Sequence, residues 1–269
     1  MAKAKTPSAY YVRDWYDKSD IDYFGAFVKV YIPFNAWMNE HFKGKGNGTD
    51  RAMLDGVKYD TNTFRSKIET LLTLDDSEGR KLRGLVGMLH CALESSTIAN
   101  NGEKITFESV VTGKNPHSVE NREYHGVKYM AQYDVTHQTT QVEVTKKSNG
   151  QKLVDTTFQG YPAESTVQNH GDVLKLNQSQ RDYLTGVYRQ VNPKMIESLL
   201  YKGTKKHEGI DCAGYRMISD VQKLSAGIIE IMYSLRCALF HGVIDPNRDA
   251  NKVYGEAYQI MHLLVSALI

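Results

Sequence analysis

What the sequence has little of narrows it first. Three cysteines, Cys91, Cys212 and Cys237, are too few and too scattered for a disulfide framework, and no Cys-x-x-Cys pair offers a zinc finger. No run of 18 or more uncharged apolar residues occurs. The longest one near the N-terminus is broken by Lys29, Pro33 and Asn35, so a membrane-spanning helix is not expected. Met1-Ala2-Lys3-Ala4-Lys5 lacks the apolar centre of a signal peptide. An excess of one charge is missing too: 33 Lys+Arg against 31 Asp+Glu leave +2, which does not announce nucleic-acid binding yet allows a local basic groove. There is no internal repeat and no low-complexity tract. Gly44-Lys45-Gly46-Asn47-Gly48 lacks the preceding strand and the GK[ST] ending of a phosphate loop, and reads as a connection. No nucleophile elbow, kinase signature or dinucleotide fingerprint is found, and Cys91 and Cys212 read as ordinary thiols. These absences lead to the expectation of a soluble cytoplasmic protein.

What is present suits a globular chain. With 269 residues, 41% hydrophobic and 24% charged, it fits one large domain, or one domain with an inserted module. Its 17 tyrosines suit half-buried strand positions ahead of a stacking surface.

Periodicity divides the chain into three. Up to about residue 100 it is helical. Ser19 or Asp20 can cap a helix with Phe24, Phe27, Val28, Tyr31, Phe34, Trp37 and Met38 on one side, kinked at Pro33. Asp50 opens a short helix, and two more carry Phe64 to Leu72 and Leu82 to Leu93. From about 103 the period changes to two. Lys104–Val111, Gln141–Thr145 and Leu153–Phe158 read as strands, the last pair joined by a turn at Asn149-Gly150. From about 178 helices return: one after Ser179, one after Asn192-Pro193 with Met195, Ile196, Leu199 and Leu200, a long one capped by Asp220, and a last one from Asn251. The fold class expected is α+β, mainly α. A helical bundle formed by residues 1–100 and 178–269 carries a small antiparallel β-sheet insertion at 103–165. Having few large apolar residues, the insertion is expected to lean on the bundle.

The segment Val221–His241 carries the chemistry. Val221, Leu224, Ile228, Ile231, Leu235 and Ala238 form a core stripe, while Ile229, Met232 and Phe240 make the flank apolar as well. Between Ile231 and Ile244 the one charged residue is Arg236, with His241 titratable. An arginine in such surroundings has to be paired, or has to face a groove or an anion. His241 ends the helix, Gly242 follows as a C-terminal cap, and Asp245-Pro246 stops it. Five residues turn by about 500°, so the two side chains diverge by roughly 140° and rise about 7.5 Å. They share a helix end, not a helix face.

Arg236-Cys237-Ala238-Leu239-Phe240-His241-Gly242 resembles the R-x4-6-H motif of HEPN domains, and the setting is similar as well: a long helix, a Gly/Pro loop, then a helix with Tyr254, Ala257, Tyr258, Met261 and Leu264. Phe34-Asn35-Ala36-Trp37 resembles part of the first long helix of such proteins. The resemblance implies a metal-independent endoribonuclease without a cofactor. It would be a homodimer with the motif helices at its interface, with Arg236 and His241 catalytic. It would cut single-stranded RNA to 2′,3′-cyclic phosphate and 5′-OH ends, as a toxin or antiviral defence effector that a partner protein inhibits or activates. The other reading it allows is a non-catalytic module for dimerisation or for RNA or partner binding, with Arg236 paired to a buried carboxylate such as Glu256. Many RNA-cutting members have Asn, Asp or His after the arginine; here Cys237 stands there. The spacing alone is unspecific: eleven arginines and nine histidines give about one accidental match. The second match, Arg83 and His90, lies inside a helical run with no stop after it, and reads as a decoy.

In the β region Lys114, Arg122, Lys128, Lys146 and Lys147 alternate with Tyr124, Tyr129 and Tyr133. That pattern can track single-stranded RNA, although a polar sheet face is the plainer reading. His117, His125 and His137 with Glu120 and Glu123 fit no common zinc spacing, so no metal is expected.

Overall fold

The computed structural model describes residues 21–45, 48–100, 102–204 and 208–268. About half of them are helical, in eight α-helices, and the rest include small antiparallel sheets. None of the helices among the described residues is long and apolar enough to cross a membrane. The chain divides into two compact units, one made of Met1–Val110 with Glu197–Ile269, the other of Val111–Ile196.

The first unit is the helical one. Helix α1 (Tyr23–Phe42) is capped by Asp22, whose carboxylate accepts from the Gly25 N–H; Ser19 and Asp20 lie outside the described residues. Pro33 sits within α1, which continues past it, burying Phe27, Val30, Tyr31, Phe34, Met38 and Phe42. Helices α2 (Asp50–Tyr59), α3 (Thr63–Thr73) and α4 (Ser77–Ser95) follow, capped by Thr49, Asn62 and Asp76. Each cap satisfies one of the backbone donors that a helix start leaves open. Near the C-terminus stand α7 (Val221–Phe240) and α8 (Arg248–Val265), capped by Asp220 and Asn247. Helix α8 lies against both α1 and α4, and the Tyr254 hydroxyl donates to the Leu235 carbonyl at 2.7 Å, tying α8 to α7. A β-hairpin, β9 (Ile210–Cys212) and β10 (Tyr215–Met217), rests on α4. There Gly87 comes so close to the Cys212 carbonyl that an added Cβ would stand 2.0 Å from its oxygen, so no other residue fits. Another short ribbon, β1 (Ala99–Asn100) with β2 (Glu103–Lys104), follows α4.

The second unit is larger than the insertion expected and has a core of its own. Strands β4 (Val119–Tyr124), β5 (Val127–Asp134), β6 (Thr139–Lys146) and β7 (Lys152–Gln159) form an antiparallel sheet in sequential order. Gly150, at φ +68°, makes the β6–β7 turn as the Asn-Gly signal foretold. Its inner face carries Val127, Tyr129, Ala131, Val142, Val144 and Val154. Helix α6 (Gln178–Gln190) covers them with Leu184, Val187 and Tyr188, alongside the short α5 (Glu164–Gln168). Helix α6 thus belongs to this unit, not to the bundle, because its apolar side is what the sheet buries. Chain entry and exit are paired as β3 (Val110–Lys114) with β8 (Lys194–Glu197). The helix expected after Pro193 is therefore a strand. Leu199 is extended too, its N–H donating to Phe107 O and its carbonyl accepting from Ile218 N–H. The stretch 105–109, read as strand, contains a turn instead.

Candidate functional site

Helix α7 passes through the core and ends at the surface. Every residue from Leu224 to Met232 is buried, so the helix is enclosed on all sides there. From Tyr233 onward one side opens, and Phe240 is 58% exposed. Arg236 lies on the line of Ile229, Met232 and Phe240, at the place where that line leaves the core.

The Arg236 side chain is one-quarter exposed. Its guanidinium stands 4.8 Å from the centre of the Phe240 ring and 3.4 Å from the Asp50 carboxylate, at the start of α2. Stacking on a residue four positions later draws the guanidinium towards the helix end. His241 is the C-cap residue of α7 and is exposed. Gly242 adopts φ +65°, its N–H donating to Leu239 O, and the Val243 N–H donates to Ala238 O. These two bonds are those of a Schellman cap, which needs a left-handed residue at Gly242. The cap turns the chain away after His241, leaving the imidazole at the tip. Phe240 and Val243, the latter 62% exposed, flank it with apolar surface.

Behind Arg236 lies a half-apolar nest. Cys237 is buried beside the Tyr233 hydroxyl, and burial, with that thiol, pushes the Tyr233 phenol up to about 12. Tyr31 of α1 is buried nearby; desolvation raises its phenol well above the usual value, while Arg236 opposes the shift. Arg236 is paired, but to Asp50 and not to Glu256. Glu256 is buried on α8, where burial raises its carboxyl and Oε2 accepts no hydrogen bond among the described residues.

The sequence pattern missed the charges that hold α2 to α7. Glu230 is buried within the enclosed stretch of α7, 2.6 Å from Lys58 Nζ and 2.6 Å from an Arg51 nitrogen. Burial pushes its carboxyl up, but the two cations offset this, and the net effect lowers it. The available signal was a carboxylate in an apolar helix together with Arg51 and Lys58, seven residues apart on one face of a short helix.

The decoy pair is occupied with structure. Arg83 donates to the carbonyls of Leu71, Leu72 and Leu74, at 3.4, 3.4 and 2.5 Å, and to Asp75 at 3.2 Å, closing the end of α3. His90 is buried between the rings of Phe107 and Tyr215, at 5.8 and 4.7 Å.

In the second unit the five basic candidates do not share a face. Register places Arg122 on the inner face of the sheet and Lys128 on the outer one. Arg122 is paired to Glu120 at 2.6 Å and Lys147 to Glu123 at 2.7 Å; Lys114 ends β3, and Lys146 ends β6. Tyr129 is buried, Tyr124 stacks on Tyr183 at 4.6 Å, and Tyr133 packs against Tyr161. The histidines separate as well: His117 pairs with Glu120 and His137 with Asp134. Among the described residues no three His, Cys, Asp or Glu come together as a metal set.

No family model, no curated protein and no solved structure matches this chain.

Proposed function

We propose that the protein is a metal-independent endoribonuclease of HEPN type, acting on single-stranded RNA through Arg236 and His241. The observation that carries this reading is the shared helix end. The guanidinium is stacked towards it on Phe240, and the imidazole stands exposed beside the Schellman cap.

RNA supplies its own nucleophile. The 2′-oxygen attacks phosphorus as its proton leaves, the bond to the 5′-oxygen breaks, and that oxygen takes up a proton. An imidazole can serve either proton transfer, and a guanidinium can hold the non-bridging oxygens as charge builds on them. The products are a 2′,3′-cyclic phosphate and a 5′-OH. One helix end offers one Arg/His pair, so a second copy provides the opposite wall and the second histidine. The exposed Phe240 and Val243 are the apolar surface such a homodimer would cover.

The test is cleavage of a labelled single-stranded RNA in EDTA. Arg236→Ala and His241→Ala are each expected to cut at least about 100-fold more slowly. Cutting at the wild-type rate by either variant would overturn the reading. A second reading, a non-catalytic HEPN-like module that dimerises or binds RNA or a partner, is favoured by the Arg236–Asp50 pair, which gives the arginine a structural partner. On that reading wild type does not cut RNA, and Arg236→Ala lowers stability without changing how the protein behaves towards RNA.

A further inference from the structure

Asp50 is the anion Arg236 meets in the folded protein, and its setting is unusual for a surface ion pair. It is the first residue of α2, but Thr49 does the capping, accepting from the Ala52 N–H, so the Asp50 carboxylate is not used there. The helix start favours a negative charge at that place. The next residue, Arg51, is tied to Glu230, and Glu230 lies six residues before Arg236 on α7. Lys58, at the far end of α2, is tied to the same carboxylate. The helix that carries Asp50 is therefore fixed to α7 through the buried Glu230 carboxylate, and Asp50 is held opposite the guanidinium. The pair itself is loose: 3.4 Å apart, Asp50 45% exposed and Arg236 25% exposed. Such pairs hold weakly and are readily displaced.

We propose that Asp50 is a resident substitute for the RNA phosphate: it occupies Arg236 in the free protein, and the substrate must displace it. This rests on the reading of Arg236 as the phosphate-holding residue. Asp50 then acts through Arg236, as a positioning residue that weakens binding and keeps the arginine aimed at the site. A scissile phosphate arriving at the guanidinium meets one carboxylate charge already there, and both cannot keep it. Removing that charge frees the arginine and removes a repulsion of the incoming anion.

The experiment measures binding of a 2′-O-methyl single-stranded RNA, which cannot be cut at the modified sugars, by fluorescence anisotropy at one fixed salt concentration. Asp50→Asn is expected to bind roughly five-fold more tightly than wild type. Asp50→Ser, a second neutral residue acceptable at a helix start, is expected to do the same, and Asp50→Glu to stay near wild type. In an Arg236→Ala background the gain from Asp50→Asn is expected to vanish, because the effect passes through the arginine. Unchanged affinity in both neutral variants, or an equal gain in the Arg236→Ala background, overturns the proposal. Cleavage assays of Arg236→Ala and His241→Ala judge the ribonuclease reading separately: they can fail while the coupling persists, or hold while it is absent.

Discussion

Helix α4 carries an arginine followed seven residues later by a histidine, α7 one followed by a histidine five residues later at its cap, and the two pairs have opposite surroundings. On α4, Arg83 is spent on carbonyls at the end of α3, and His90 is enclosed by Phe107 and Tyr215. On α7, Arg236 holds a loose surface pair and His241 stands exposed at the cap. The difference comes from where the helix stops. Helix α4 runs on past His90 to Ser95, so that imidazole is carried into the core; α7 ends at Phe240, and Gly242 turns the chain away. Spacing supplies two residue types, and the helix end decides whether they meet solvent.

The comparison can be broken most severely through activity. Arg236→Ala and His241→Ala are expected to lose about 100-fold or more in RNA cleavage. Arg83→Ala is expected to keep the wild-type rate per folded molecule while losing about 2 kcal/mol of stability in urea denaturation, since it leaves charge-assisted bonds to three carbonyls unmade. Unchanged stability of Arg83→Ala would remove its structural role.

A smaller effect separates the histidines by pH. Burial lowers the His90 pKa, against the opposing pull of Glu94 and Glu108, with Lys104 adding to the lowering. The folded state therefore keeps this imidazole neutral where the unfolded chain is protonated. Its contribution to stability is complete above an unfolded pKa of about 6.5 and is lost as pH falls below it. The urea midpoint of wild type is expected to drop more between pH 7.5 and 5.5 than that of His90→Phe; equal drops would contradict this. The smallest effect concerns the cap. Gly242→Ala places a Cβ at φ +65° and is expected to cost about 1 kcal/mol. No change in thermal midpoint would mean that the turn after His241 does not need glycine.

The elements settled by neighbours in sequence were legible. Helix α7 was, since its stripe, its Asp220 cap and its Gly242 stop are all local. The β6–β7 hairpin was, because Asn-Gly makes that turn by itself. Elements settled by distant partners were not. Met195, Ile196, Leu199 and Leu200 have helical spacing, yet β8 pairs with β3 about 80 residues away in sequence. Helix α6 was recognisable as a helix, but nothing local says that its apolar side covers the sheet of the second unit. At the candidate site, Arg236 and His241 could be named from the helix end. Asp50 and the Glu230 cluster could not, because Glu230 meets Lys58 and Arg51 172 and 179 residues away in sequence. The basic and aromatic residues of the second unit do not all lie on one face, which alternation along the strands decides. Alternation sends Arg122 and Lys128 to opposite faces, and Tyr129 fills the core.

The most direct measurement sets the two Arg/His pairs side by side. Wild type, His241→Ala and Arg83→Ala are incubated with the same single-stranded RNA in EDTA, and the product ends are analysed. Wild type and Arg83→Ala are expected to leave 2′,3′-cyclic phosphate ends, and His241→Ala is expected not to cut. Equal cutting by His241→Ala, or none by any of the three, would contradict this.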